Sequence, residues 1–240
     1  MSFRAIAFPD LSKATATNTS ATNASDRLQL VLLHGWGANA QDVAAMAPYL
    51  LKEVDSSRLQ MLFPDGTYPH MVQGSMGMPG GRMWYDLPAD YTFGSSIDAS
   101  QDKAPPEDLL KSRNLLLEWL QSLESQTGIP LSRTILAGFS QGGAMTLDVG
   151  TRLPLAGLMV LSGYLHENLS NRPSSLPPIL MVHGRQDPVV PVTAAHQSRD
   201  RLIQLQAALE YHELDMGHDI PLTVLELMQT FVGRILVSLG

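Results

Sequence analysis

Gly138-Phe139-Ser140-Gln141-Gly142 sets a serine between two glycines in a G-x-S-x-G pentapeptide, extended by Gly143. An apolar run, Thr134–Ala137, directly precedes it and a helical pattern directly follows, which is the context of a nucleophile elbow. A strand that turns sharply into a helix strains its corner residue, and side chains beside the corner would clash, so glycines are required there. The turn lifts the hydroxyl clear of the sheet and sets it at the positive end of the next helix, where developing negative charge is favoured. Such a serine attacks carbonyl carbon.

A serine hydroxyl is a weak nucleophile at neutral pH and needs a base within hydrogen-bond reach. On an elbow fold the acid and then the histidine follow the serine along the chain. The histidines downstream are His166, His183, His196, His212 and His218. His218, in MGHDI, stands between the last expected strand and the helix opened by Pro221, and is the expected base; His166, in the loop after another strand, is the alternative. Asp187, in HGRQDP after the strand ILMV, is the expected acid, with Asp215 and Asp219 as alternatives. Its role would be to fix the imidazole tautomer and stabilise the imidazolium without itself taking the proton.

Acyl transfer also needs donors for the oxyanion. The elbow supplies the N–H of Gln141. The segment Leu32-Leu33-His34-Gly35-Trp36-Gly37 follows the first core strand, and its flanking glycines let the N–H of Trp36 turn inwards as the second donor. His34 is expected to brace that loop by side-chain hydrogen bonds. Metal chemistry fails on spacing, since no H-E-x-x-H pair is present and the histidines are dispersed. Neither a phosphate loop nor a dinucleotide site is found, so no cofactor is expected.

The elements that would hold these residues alternate in type. Apolar runs at Leu28–Leu33, Leu59–Phe63, Thr134–Ala137, Leu155–Leu161, Ile179–Val182 and Leu209–Leu214 are mostly apolar on both faces, as buried parallel strands are. Helical patterns lie at Gln41–Leu51, from Pro105 to Leu123, at Gln141–Arg152, at Thr193–Leu205 and at Pro221–Val237. The alternation predicts an α/β fold, a mostly parallel central sheet with helices on both faces. Phe3–Phe8 reads as an edge strand. The polar tract Ser12–Ser25 reads as a mobile loop, since small polar residues bury too little area to offset their ordering entropy. Residues 65–105 are rich in Gly, Pro, Met and aromatics, and a stretch that long inside one domain reads as a substrate-covering segment. There Met83 and Trp84 are candidate substrate contacts, and an apolar acyl chain is the expected ligand, although the same side chains would equally suit packing.

Bulk properties narrow the class. A chain of 240 residues fits a single domain spanning 1–240. The net charge of −7, with no basic cluster, argues against a nucleic-acid partner. Without cysteine there is no disulfide, thiolate nucleophile or cysteine-held zinc. No apolar run reaches the roughly 20 residues that span a bilayer, and no signal-peptide pattern opens the sequence, so a cytoplasmic protein, monomeric or homodimeric, is expected.

Three motifs stand in order, LLHGWGAN, GFSQGGAM and VHGRQDPVVP, closing with MGHDI. The set resembles the phospholipase/carboxylesterase family of small α/β-hydrolases, which includes bacterial carboxylesterases and acyl-protein thioesterases. GRMWYDL resembles the family's aromatic–Asp segment. The resemblance runs from about Leu28 onwards and implies Ser140, Asp187 and His218 as the triad, with Trp36 and Gln141 as oxyanion donors. It implies a cofactor-independent hydrolase of carboxylic esters or thioesters, with an acylated protein or lysophospholipid as an alternative substrate. Trp36 departs from the leucine more common at its position, and Ser12–Ser25 is not a family feature. A non-catalytic binding module on the same fold is the remaining alternative.

Overall fold

The computed structural model describes residues 3–8, 26–50, 52, 57–70, 80–88, 91–93, 105–166, 169 and 175–239. The tract Ser12–Ser25 and much of the expected covering segment, residues 71–79, 89–90 and 94–104, lie outside the described residues.

Seven strands form one sheet: β1 (Ala5–Phe8), β2 (Leu28–Leu33), β3 (Leu59–Pro64), β6 (Thr134–Phe139), β7 (Gly157–Leu161), β8 (Ile179–Gly184) and β9 (Leu209–Leu214). Their spatial order is β1-β3-β2-β6-β7-β8-β9. All neighbours are parallel except β1, which runs antiparallel to β3 with Ala5 opposite Pro64 and Phe8 opposite Met61. A two-stranded ribbon, β4 (Tyr68–Pro69) with β5 (Arg82–Met83), stands apart from the sheet. The helices are α1 (Ala40–Ala44), α2 (Ala47–Leu50), α3 (Glu107–Thr127), α4 (Gln141–Gly150), α5 (Val192–Gln204) and α6 (Leu222–Ser238).

Side chains alternate across a strand, and the core divides accordingly. Val31, Leu33, Leu136, Leu158, Val160 and Met181 face one layer, where they meet α3, α4 and α5 through Leu116, Leu120, Met145, Leu147 and Leu202. Leu30, Leu32, Ile135, Ala137, Met159 and Val182 face the other, against Val43 of α1, Leu50 of α2 and Met228 and Val232 of α6. Both faces are therefore dry, which explains why these strands read as unbroken apolar runs.

Several expected elements differ in extent, and two of the differences have a local cause. The helix expected over Gln41–Leu51 is broken into α1 and α2 at Ala45–Met46. Pro48 lacks the N–H that would bond back to Ala44, so a continuous helix cannot form there. The strand expected from Leu155 begins at Gly157, because the preceding Leu155 N–H bonds locally to the Leu153 carbonyl. Among the described residues, no helix is long and apolar enough to cross a membrane.

Candidate active site

Ser140 closes β6 and opens α4 with φ +56° and ψ −118°, a conformation costly for a residue with a Cβ. The surroundings impose it. A Cβ on Gly138 would sit 2.2 Å from the Gly142 carbonyl oxygen, and one on Gly142 would sit 2.4 Å from that of Leu33. Those approaches admit only glycine, so the pentapeptide's pattern follows from close packing of the turn against its own strand and β2. The Ser140 N–H continues the ladder to the Leu161 carbonyl at 2.8 Å, tying the corner to β7.

The loop after β9 carries His218 to this corner. Its Nε2 lies 3.0 Å from Ser140 Oγ, and its Nδ1 lies 2.7 Å from Asp187 Oδ2. Asp187 comes from the turn after β8. Its other oxygen accepts the N–H groups of Val189 at 2.9 Å and Val190 at 2.8 Å, so the carboxylate is fully engaged and its side chain is buried. The ring of Phe139 packs against that of His218, their centroids 4.7 Å apart. A chain of Ser Oγ, imidazole and carboxylate thus spans the ends of β6, β9 and β8, and it permits proton transfer from the hydroxyl to a base of fixed tautomer.

The alternatives are occupied elsewhere. His166 is buried, with Nε2 2.7 Å from the Tyr85 hydroxyl and Nδ1 3.5 Å from Asp148. His196 pairs with Glu213 and His212 with Glu210. Asp215 is exposed and bound by Arg185 at 2.6 Å, and Asp219 is exposed.

The loop after β2 packs against Ser140, where a Cβ on Gly35 would lie 3.4 Å from that of Ser140. His34 is fully buried there. Its Nδ1–H donates to the Gly35 carbonyl at 2.7 Å and its Nε2 accepts the Gly66 N–H at 2.8 Å, the bracing expected from the sequence. Burial outweighs the bond to Gly35 and lowers the imidazole's pKa below its ordinary 6.5, which keeps the ring neutral with one donor and one acceptor. Among the described residues, neither the N–H of Trp36 nor that of Gln141 has an acceptor in the protein. The Trp36 indole is 42% exposed, its ring centroid 3.9 Å from that of His70 in an edge-to-face contact.

The two candidate substrate contacts fare differently. Met83 is half-buried on β5, and its backbone packs so tightly over Gly66 that a Cβ there would lie 2.7 Å from the Met83 carbonyl oxygen. Trp84 is fully buried and has no surface to offer a ligand. Its indole N–H donates to the His34 carbonyl at 3.0 Å and its main-chain N–H to Gln141 Oε1 at 2.9 Å. Packing, the other role open to it from composition, is what the structure gives.

Sequence reasoning missed two side-chain roles. The Gln141 side chain clips residues 84 and 85 to the elbow, also donating through Nε2 to the Tyr85 carbonyl at 2.7 Å. Buried His183 lies below Asp187, its Nε2 2.9 Å from the Val190 carbonyl and 3.6 Å from Asp187 Oδ2. The four-residue spacing of His183 and Asp187 across a strand-end turn was the available signal.

A parallel sheet with helices on both faces, a strained serine at a strand–helix corner, and a histidine and acid on later strand ends together define the chain as an α/β-hydrolase. It belongs to the phospholipase/carboxylesterase family, whose profile matches residues 16–236. It is 28% identical over 214 residues to acyl-protein thioesterase 1 of Neurospora crassa, covering 85% of this chain and 84% of that one. With acyl-protein thioesterase 1 of Schizosaccharomyces pombe it shares 32% over 183 residues, 72% of this chain and 75% of the relative. The crystal structure of esterase PE8 superimposes with a TM-score of 0.76 at 26% identity, covering 98% of this chain and all (100%) of that one.

Proposed function

We propose that the chain hydrolyses carboxylic esters or thioesters with an apolar acyl group, through an acyl-enzyme on Ser140. The observation that carries this reading is the unbroken chain from Ser140 Oγ through His218 to Asp187, at 3.0 Å and 2.7 Å. Ser140 Oγ attacks the acyl carbonyl as its proton passes to His218 Nε2. Asp187 stabilises the resulting imidazolium through Nδ1. The N–H groups of Trp36 and Gln141 bind the tetrahedral oxyanion. Collapse expels the alcohol or thiol, which takes the proton from His218. Water then attacks the acyl-enzyme, giving its proton to the same nitrogen, and the acid leaves as Ser140 regains its hydrogen. The same unbroken chain favours this reading over a non-catalytic binding module.

The test is labelling by a fluorophosphonate probe, read by intact mass. One probe per chain is expected on wild type and none on Ser140→Ala, whose esterase activity should also be lost. Retained activity in the variant would sink the reading. The names of the two fungal relatives favour a larger acylated partner as a second reading, an acylated protein. Comparing butyryl, octanoyl and palmitoyl esters with a palmitoyl-cysteine peptide separates the two: strong preference for the peptide supports the larger partner, and a flat chain-length profile removes the apolar-acyl assignment.

A further inference from the structure

The two N–H groups offered to the oxyanion belong to different segments, the loop after β2 and the first turn of α4. Neighbouring parallel strands fix where those segments start. They do not fix the direction of a peptide beyond a strand end. Yet the donors must meet one oxygen at about 2.7–3.1 Å, and a displacement of about 1 Å costs on the order of a hundredfold in rate.

Trp84 spans this gap. Its indole N–H bonds the His34 carbonyl on the β2 loop, its main-chain N–H bonds the Gln141 side chain at the elbow, and its carbonyl accepts the hydroxyl of Ser112 on α3. The indole ring is closed in as well, its centroid 5.4 Å from that of the His34 ring and 5.9 Å from that of Phe3. Every polar group of this buried residue is therefore committed, each to a different element, and any shift would strand a buried donor or acceptor. His34 carries the constraint one step further. It donates through Nδ1 to the Gly35 carbonyl, which is the oxygen of the very peptide group whose N–H is that of Trp36. A bond to that oxygen fixes the peptide plane and polarises its N–H outwards. At the elbow the matching peptide is held in the same way, the Ser140 carbonyl accepting the Ala144 N–H at 3.0 Å.

We propose that Trp84 is the positioning residue of the oxyanion hole, a strut that holds the Trp36 and Gln141 donors at one spacing through His34 and the Gln141 side chain. The assignment rests on the acyl-enzyme reading above, and it predicts an effect on the transition state that ground-state binding does not share.

The experiment compares wild type with Trp84→Phe, which keeps a ring but removes the indole donor to the His34 carbonyl, and with Gln141→Met, which keeps the side-chain length but removes the Oε1 acceptor of the Trp84 N–H. Active sites are counted first with a fluorophosphonate, so that kcat refers to competent enzyme only. We expect kcat per active site to fall roughly ten- to a hundredfold, with KM changed less than about threefold. The inhibition constant of an alkyl trifluoromethyl ketone, which places an oxyanion in the hole, should rise in proportion to the loss of kcat/KM. Unchanged kcat and ketone affinity per active site would overturn the proposal, as would a rise in KM alone. If Trp84→Phe fails to fold, Gln141→Met decides by the same measurements. Wild type that takes no fluorophosphonate would instead overturn the acyl-enzyme reading, and the strut with it.

Discussion

Asp187 meets His218 through one carboxylate oxygen, Oδ2 to Nδ1 at 2.7 Å, while its other oxygen receives the N–H groups of Val189 and Val190. The turn after β8 thus aims the acid with its own backbone. No side chain from elsewhere is required to hold the Oδ1 side, and rotation of the carboxylate would break two bonds at once.

Asp187→Asn retains the acceptor for those two N–H groups but turns an amide donor towards His218. The imidazole must then accept at Nδ1 and carry its hydrogen on Nε2, where it faces Ser140 and cannot take a proton. We expect kcat to fall roughly 10³–10⁴-fold with KM little altered and the circular dichroism unchanged, by analogy with other serine triads. A loss below about tenfold would show that Asp187 does not set the tautomer.

Asp148, on α4, is fully buried and lies 2.9 Å from Arg113 Nε, with Arg152 Nη2 3.3 Å from its other oxygen. Burial pushes its carboxyl up, but His166 and then Arg113 outweigh it and hold the group well below the usual carboxylate range. Removing Arg113 leaves a buried charge with weaker compensation. Arg113→Met should therefore destabilise by about 3 kcal/mol, read from urea denaturation. A change under about 0.5 kcal/mol would mean that Arg152 and His166 suffice.

His34 and His183 are both held below their ordinary 6.5, burial being the larger cause and bonds to the Gly35 and Val190 carbonyls opposing it. Between their folded values and 6.5 the unfolded chain binds protons that the native chain refuses. Their contribution to stability is complete above that window and is lost as pH falls through the folded values. Urea midpoints should thus drop from about pH 7 to about pH 5, less steeply in His34→Gln. An equal slope in wild type and variant would remove His34 from the linkage. Half-buried Glu213 and exposed Asp215, held low chiefly by bonds to His196 and Arg185, act only at lower pH and weakly.

Much of this protein was legible before any coordinates. The elbow could be read because its glycines answer a local steric demand, visible in how closely Gly138 and Gly142 approach neighbouring backbone. The strands could be read because both faces of the sheet are dry, and the order of Ser140, Asp187 and His218 follows from strand ends that share one edge. Trp84 could not be assigned in that way. A tryptophan among methionines in a loop has the composition of a ligand wall and of a core alike, and only burial separates them. Nor does any local pattern reveal that Gln141 reaches 57 residues back along the chain, or that the Gly35 carbonyl belongs to His34. Periodicity and steric rules act over a few residues and so are written in the sequence. The hydrogen bonds around Trp84 and His34 join the β2 loop, α3, α4 and the β5 segment, and their partners are chosen only when packing brings those elements together.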